Sequence, residues 1–326
     1  MNFQDRMLPT KPEYQFREPG YYIWCGSAFQ FKNCCYMVYS RWRRELGFAA
    51  WVTDSEICLA KAEHILDTFH HVKVLFGKDD DIRWDASCKH NPTVMQYHGK
   101  LYLYYMGNVG DGDWWTHRNN QRIGCAVASE PEGTWQRICQ PVIDVSKNGF
   151  DSLMVSNPTV TQMPNGRVLA VYKGVSKEGK LPKGGPVLCG VAVADSPVGP
   201  FIKEEEPIMQ NPNDPWSVED PFIWWENGQY YALVKDFHGY FTKTGDCSVA
   251  LFESLGGLDW APSEAPLAFE RVLVFADGHR QKVALLERPQ LYFENGKPVA
   301  LLCACATDAA YSDTFNVRIP LKVSLS

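Results

Sequence analysis

His90-Asn91-Pro92-Thr93-Val94, Ser156-Asn157-Pro158-Thr159-Val160, Glu219-Asp220-Pro221-Phe222-Ile223 and Glu287-Arg288-Pro289-Gln290-Leu291 are four copies of one pattern, a polar pair and a proline leading into an apolar run. Each copy continues through a glycine turn into a second apolar run, at Gly99 to Tyr104, Gly166 to Tyr172, Gly228 to Val234 and Gly296 to Leu302. The prolines are 66, 63 and 68 residues apart. One period upstream, Trp24-Cys25-Gly26-Ser27-Ala28-Phe29 followed by Cys35 to Tyr39 is a weaker fifth copy.

After the second run comes a third of small alternating residues, as in Gly124 to Ser129, Gly190 to Ala194 and Cys247 to Phe252. Fourth runs are shorter and more polar. Alternation, glycine hairpins and a period of about 65 residues describe radially repeated four-stranded units. The expected fold is all-β, a five-bladed β-propeller of four-stranded antiparallel blades that occupies residues 1–326 as one domain. The blades fall at roughly 18–75, 80–145, 150–208, 214–275 and 280–326, with the alternating segment 315–323 or the N-terminal arm closing the ring and removing its free edge. One stretch departs from the pattern: Ala62, Ile65, Leu66 and Phe69 have helical spacing behind Thr53-Asp54-Ser55-Glu56, so a short helix is expected over 55–69.

The chain has 326 residues, 45% hydrophobic and 13% aromatic, which suits a folded protein with a large core. A net charge of −6 with no basic run gives no footprint for nucleic acid. No stretch has the length of a membrane span, and the start Met1-Asn2-Phe3-Gln4-Asp5-Arg6 lacks the form of a signal peptide, so a cytoplasmic location is expected. Eleven cysteines, several inside apolar strands, read as reduced core residues, and no C-x-x-C pair offers a zinc site.

First strands of propeller blades begin near the axis, so the motif residues converge on one funnel. His90, Asn91, Asn157, Glu219, Asp220, Glu287 and Arg288 are therefore candidate site residues. They differ from copy to copy, as a heteropolar site requires, although polar groups at strand ends also satisfy backbone amides. Carboxylates held together acquire separated pKa values, which lets one act as acid and another as base.

At these residues the chain resembles the five-bladed propeller glycoside hydrolases of families 43, 32 and 117. Val218-Glu219-Asp220-Pro221-Phe222-Ile223 is similar to their central Asp-Pro motif, whose Asp tunes the acid and holds substrate. Leu286-Glu287-Arg288-Pro289 is similar to the next-blade motif whose Glu is the general acid, and Asp195-Ser196-Pro197-Val198-Gly199-Pro200-Phe201 to their third-strand turn. The resemblance implies Asp220 as modulator and Glu287 as acid. The position that carries the base or nucleophile in those families is Asn91 here.

Asp85, six residues before Asn91, is the candidate base, and a base acting on water from a distance would invert the anomeric centre. Asp151 and Asp214 stand at the same offset in later copies, which fits a turn role equally well. His279 rivals Glu287 as acid, because an anhydrogalactosidase-like family of this fold uses His. Trp115, in the glycine-rich segment 107–120, is expected to pack on a sugar face, with Trp24 and the strand residues Trp224 and Trp225 as further aromatics. The expected partner is a carbohydrate, without nucleic acid or membrane, and a homo-oligomer is compatible with the sequence. No cofactor is expected, beyond room for a divalent ion on the axis near His90 or His238. The expected function is hydrolysis of an oligosaccharide or terminal glycoside. The alternatives are a glycoside phosphorylase, for which Arg288 and Arg280 are few cations, or a sugar-binding propeller without catalysis, motivated by Asn91. No residue pattern names the sugar.

Overall fold

The computed structural model describes residues 1–323. Five four-stranded antiparallel sheets follow one another along the chain. In chain order the first strands of the five blades are Tyr21–Phe31, Cys88–Tyr97, Met154–Gln162, Val218–Glu226 and Leu285–Glu294. Each pairs with a second strand, then a third and a fourth, so that every blade is a simple meander. The last blade is completed from both ends of the chain. Thr314–Pro320 supplies its third strand, and Gln15–Phe16 pairs with that strand as the fourth. A ring closed in this way leaves no blade open at the seam.

The apolar core lies between blades. Leu169 and Val191 of the third blade pack with Ile223 and Ala232 of the fourth. Leu233 and Leu251 of the fourth meet Leu301 and Val317 of the fifth, and the other junctions repeat the arrangement. The small third-strand residues fill these junctions; Cys125, Cys189, Cys303 and Cys305 are all buried, as small hydrophobes are.

The repeated motif is a β-bulge. Pairing between first and second strands slips at Trp24/Ser27, His90/Thr93, Ser156/Thr159, Glu219/Phe222 and Glu287/Gln290, at the corresponding place in every blade. The first residue inside each slip has positive φ: Cys25 52°, Asn91 52°, Asn157 51°, Asp220 57° and Arg288 53°. Proline follows in four blades, where the bulge leaves no ladder hydrogen bond for an N–H to make. The first blade has Gly26 instead, because its N–H donates to Asn316 Oδ1 at 3.0 Å and a Cβ there would meet Met37 Sδ at 2.8 Å and Asn316 Nδ2 at 2.9 Å. The fifth copy is weaker in sequence for that local reason.

The helix expected over 55–69 is not formed. Glu56–Ala62 is the third strand of the first blade, and Ile65 and Phe69 are buried from the turn that follows it. The helical segment Trp51–Asp54 comes earlier. The spacing that suggested a helix arises from a strand end and a turn packing on the same core. The glycine-rich segment 107–120 contains the helix Trp114–Asn119, capped by Asp113 accepting from the Thr116 amide. Among the described residues no helix is long and apolar enough to cross a membrane.

Candidate active site

The five positive-φ residues turn their side chains toward one another around the axis. Cys25 Sγ donates to Asn91 Oδ1 at 2.6 Å, Asn91 Nδ2 to Asn157 Oδ1, Asn157 Nδ2 to Asp220 Oδ1, and Arg288 Nη1 to Asp220 Oδ1 at 3.4 Å. Arg288 lies beside the Cys25 thiol, completing the circuit. Four of its members, Asn91, Asn157, Asp220 and Arg288, line a cavity of about 160 Å³. Asn91 at the position of the expected base is therefore a link in the ring, donating to one neighbour and accepting from another.

The residues before four of the five ring members, Trp24, His90, Glu219 and Glu287, also line the cavity. Lys173 lines it too, placed opposite Ser156 in the second strand of the third blade. Lys235 stands opposite Glu219 at the same place in the fourth blade. Lys235 Nζ bridges Glu287 at 2.5 Å and Glu219 at 2.9 Å, and Lys173 Nζ reaches the other Glu219 oxygen at 3.1 Å. Oxygens of Glu219, Asp220 and Glu287 lie within 4.8 Å of one another.

The three carboxylates are in unlike surroundings. Burial pushes the Asp220 carboxyl up to about 6, reinforced by the negative charge of Glu219 and opposed by Arg288. Burial would also raise Glu219, but the Lys173 and Lys235 ammonium groups outweigh it and hold its carboxyl well below the usual carboxylate range. Lys235 is kept charged against burial by Glu287, Glu219 and Asp220. Side-chain exposure is 4% for Asp220 against 15% for Glu219 and 13% for Glu287. Glu219 and Glu287 thus face the cavity, while Asp220 acts from beneath.

Opposite this charged wall stand Trp24, Trp42, Phe48 and Trp51. Phe48 is fixed by stacking on Tyr311 with ring centres 3.7 Å apart. His90 sits between Trp42 and Trp51, its Nδ1 2.7 Å from Ser55 Oγ. Burial, then the charges of Arg288 and Lys173, push its pKa well below the ordinary histidine value, so it is neutral. The Lys235 ammonium lies between the Glu219 and Glu287 carboxylates.

Three expected site residues lie elsewhere. Asp85 is fully buried, with its carboxylate taken by Tyr105 Oη at 2.7 Å, Arg83 at 3.1 Å and Arg137 at 3.2 Å. It cannot serve as base. Asp151 repeats the arrangement with Tyr172 Oη at 2.9 Å and Lys203 at 2.6 Å, and in both blades a glycine, Gly107 or Gly174, lets the Asp Cβ approach where an added Cβ would stand 2.6 Å away. The recurrence is structural. Asp85→Asn would weaken the bonds to Tyr105, Arg83 and Arg137, the last of which keeps Asp79 at 2.6 Å, and is expected to cost about 1–3 kcal/mol in chemical denaturation, with turnover of the remaining folded protein unchanged.

His279 is half-exposed on the hairpin Val272–Val274/Arg280–Lys282, stacked on Phe275 and paired with Asp277. It does not line the cavity, and neither does Trp115, whose ring lies under Arg118. His238 pairs with Asp214 away from the cavity. Of the tryptophans in the fourth blade, Trp224 is core against Phe3 and Tyr231, and Trp225 is half-buried against Tyr230.

No protein-family model matches the chain, and no curated protein sequence matches it. Solved structures do. One titled a glycoside hydrolase superposes with a TM-score of 0.72 at 13% identity over 97% of this chain and 93% of its own. A family 117 glycoside hydrolase from the marine bacterium Zobellia galactanivorans gives 0.69 at 17% identity over 100% and 93%. A thermostable family 43 glycoside hydrolase gives 0.68 at 13% over 98% and 96%. The chain has the five-bladed propeller fold found in glycoside hydrolases of families 43 and 117.

Proposed function

We propose that the axial cavity binds the terminal sugar of a glycoside and hydrolyses its bond, with Glu287 as proton donor and Glu219 as the second carboxylate. The observation that carries this reading is the pairing of an aromatic wall with three close carboxyls, of which two lysines hold Glu219 ionised while burial raises Asp220. Sugar rings present CH-rich faces to aromatics and hydroxyls to charged groups, and separated pKa values are how acid and base roles are divided between carboxyls. A cavity of about 160 Å³ is small beside the roughly 300–1,000 Å³ of pockets for larger ligands, which favours one sugar unit over a chain.

Glu219, held ionised by two lysines, takes the role that Asn91 cannot. Its oxygens lie close to those of Glu287, nearer the roughly 5–5.5 Å carboxyl spacing of retaining enzymes than the roughly 6.5–9.5 Å of inverting ones. With Asp85 sequestered, inversion has lost its base, and a double displacement fits better. Glu219 attacks the anomeric carbon as the glycosidic C–O bond breaks and the Glu287 proton passes to the leaving oxygen. Water then gives its proton to Glu287, attacks the same carbon and releases Glu219.

Activity is expected to fall as pH rises through about 6, where burial has placed the Asp220 carboxyl. Asp220→Asn removes the carboxyl that titrates there, so the limb near pH 6 should disappear; an unchanged limb would detach it from Asp220. Three carboxylates balance three cations here, leaving no surplus positive charge for phosphate. A panel of arabinosides, xylosides, galactosides, anhydrogalactosides and fructosides, assayed without phosphate, tests the reading. Release of a terminal sugar from one member is expected. Turnover only with phosphate would identify a phosphorylase instead, and sugar binding without cleavage a lectin-like propeller.

A further inference from the structure

Arg288 is one of the largest fully buried side chains, with 2% exposure, and it lines the cavity floor. Its one ion pair, through Nη1 to Asp220, is long at 3.4 Å. Nε and Nη2 have no oxygen or nitrogen partner, the guanidinium's other neighbour being the Cys25 thiol. Those two N–H groups lie on the same edge of the guanidinium and point in parallel. Trp42 Nε1, also in the cavity wall, is a third buried donor without a partner. Buried donors left unmade cost free energy, about 1–3 kcal/mol each and more on charged groups, and Arg288 and Trp42 both line this cavity, so a ligand rich in acceptors would relieve that cost.

We infer that the sugar taken by the axial cavity carries a carboxylate, as in a uronic acid, gripped by the Nε/Nη2 edge of Arg288. The inference rests on the carbohydrate reading of the cavity. A planar carboxylate matches the parallel donors of that edge, as this chain itself shows where Arg17 Nε and Nη2 hold the two oxygens of Asp313 at 2.8 Å each. Trp42 Nε1 is left for a ring hydroxyl. A phosphate or sulfate group would use the same donors, but a phosphate dianion would sit beside Glu219, Asp220 and Glu287, whose oxygens crowd within 4.8 Å. A single negative charge is better tolerated there, the more so because burial and its neighbours favour the protonated form of Asp220. Neutral His90 adds no competing charge.

Equilibrium binding tests this without relying on turnover. Calorimetric titrations of wild-type protein compare glucuronate and galacturonate with glucose and galactose, and with inorganic phosphate. At least one uronate should bind about 10–100-fold more tightly than its neutral counterpart, as one charge-assisted pair contributes. Arg288→Lys, which keeps the charge and loses the fork, should remove most of that preference. Equal binding of neutral sugar and uronate overturns the carboxylate assignment and leaves the carbohydrate reading standing. Tight binding of phosphate alone overturns it in favour of a phosphate site, and binding of no sugar overturns both readings. Because the wild-type comparison stands alone, instability of Arg288→Lys would not remove the test.

Discussion

Replacing Glu287 with glutamine should lower kcat/KM by about 10²–10⁴-fold on substrates whose leaving group needs a proton, the range typical of a lost general acid. The loss should shrink when the leaving group is already acidic, such as a nitrophenol, since the missing proton then matters less. KM should change little, because the amide fills the same volume and its oxygen can still accept from Lys235. Glu219 remains to neutralise that lysine at 2.9 Å, so the fold should be kept. Equal activity of wild type and variant on an unactivated glycoside would remove Glu287 from the chemistry. Under the same assay His279→Ala should be indistinguishable from wild type, because its ring is stacked on Phe275 outside the cavity.

Glu219→Gln is expected to be at least as damaging, and for a different reason. Glu219 is the carboxylate that two ammonium groups keep ionised, so its replacement removes a pocket carboxylate whose negative charge is held well below the usual range. Turnover should fall for activated and unactivated substrates alike, because bond formation to the anomeric carbon is lost whatever the leaving group. That insensitivity separates it from Glu287→Gln. The variant leaves Lys173 without its carboxylate, so circular dichroism and a denaturation curve belong with the kinetics. A small external anion such as azide, added to Glu219→Ala, should restore part of the activity on an activated substrate by entering the vacated space. A loss confined to unactivated substrates would make Glu219 a proton carrier instead.

The propeller was legible because a bulge at the axis constrains sequence strongly. Each bulge needs a residue that tolerates positive φ and then one that makes no ladder hydrogen bond, hence Asn-Pro, Asp-Pro and Arg-Pro at fixed spacing. The first blade hid its copy because Gly26 must donate to Asn316 and leave room for Met37. The same convergence placed His90, Asn91, Asn157, Glu219, Asp220, Glu287 and Arg288 at one cavity.

Asp85 was misleading because a buried structural carboxylate and a catalytic one look alike in sequence. The useful signal was its repetition with a partner, Asp85 with Tyr105 and Asp151 with Tyr172, at nearly equal separations. Lys173 and Lys235 were overlooked, although a lysine at corresponding places in two apolar second strands marks a cation that must find a buried partner. The aromatic wall was harder to foresee. Trp24 was a candidate aromatic, but Trp42, Phe48 and Trp51 come from a strand end and the irregular segment after it, and only the turn of that segment back over the cavity brings them together. Trp115 was favoured for lying in a glycine-rich segment, but that segment folds into a helix that keeps it out of the cavity.

The most direct test follows the anomeric centre itself. Proton NMR of the first sugar released by wild-type protein, recorded before mutarotation equilibrates it, should show the same anomeric configuration as the glycoside supplied. That result is required if Glu219 attacks the sugar and water displaces it. Release of the opposite anomer would mean that water attacks directly, and would contradict the pairing of Glu219 with Glu287 on which the account depends.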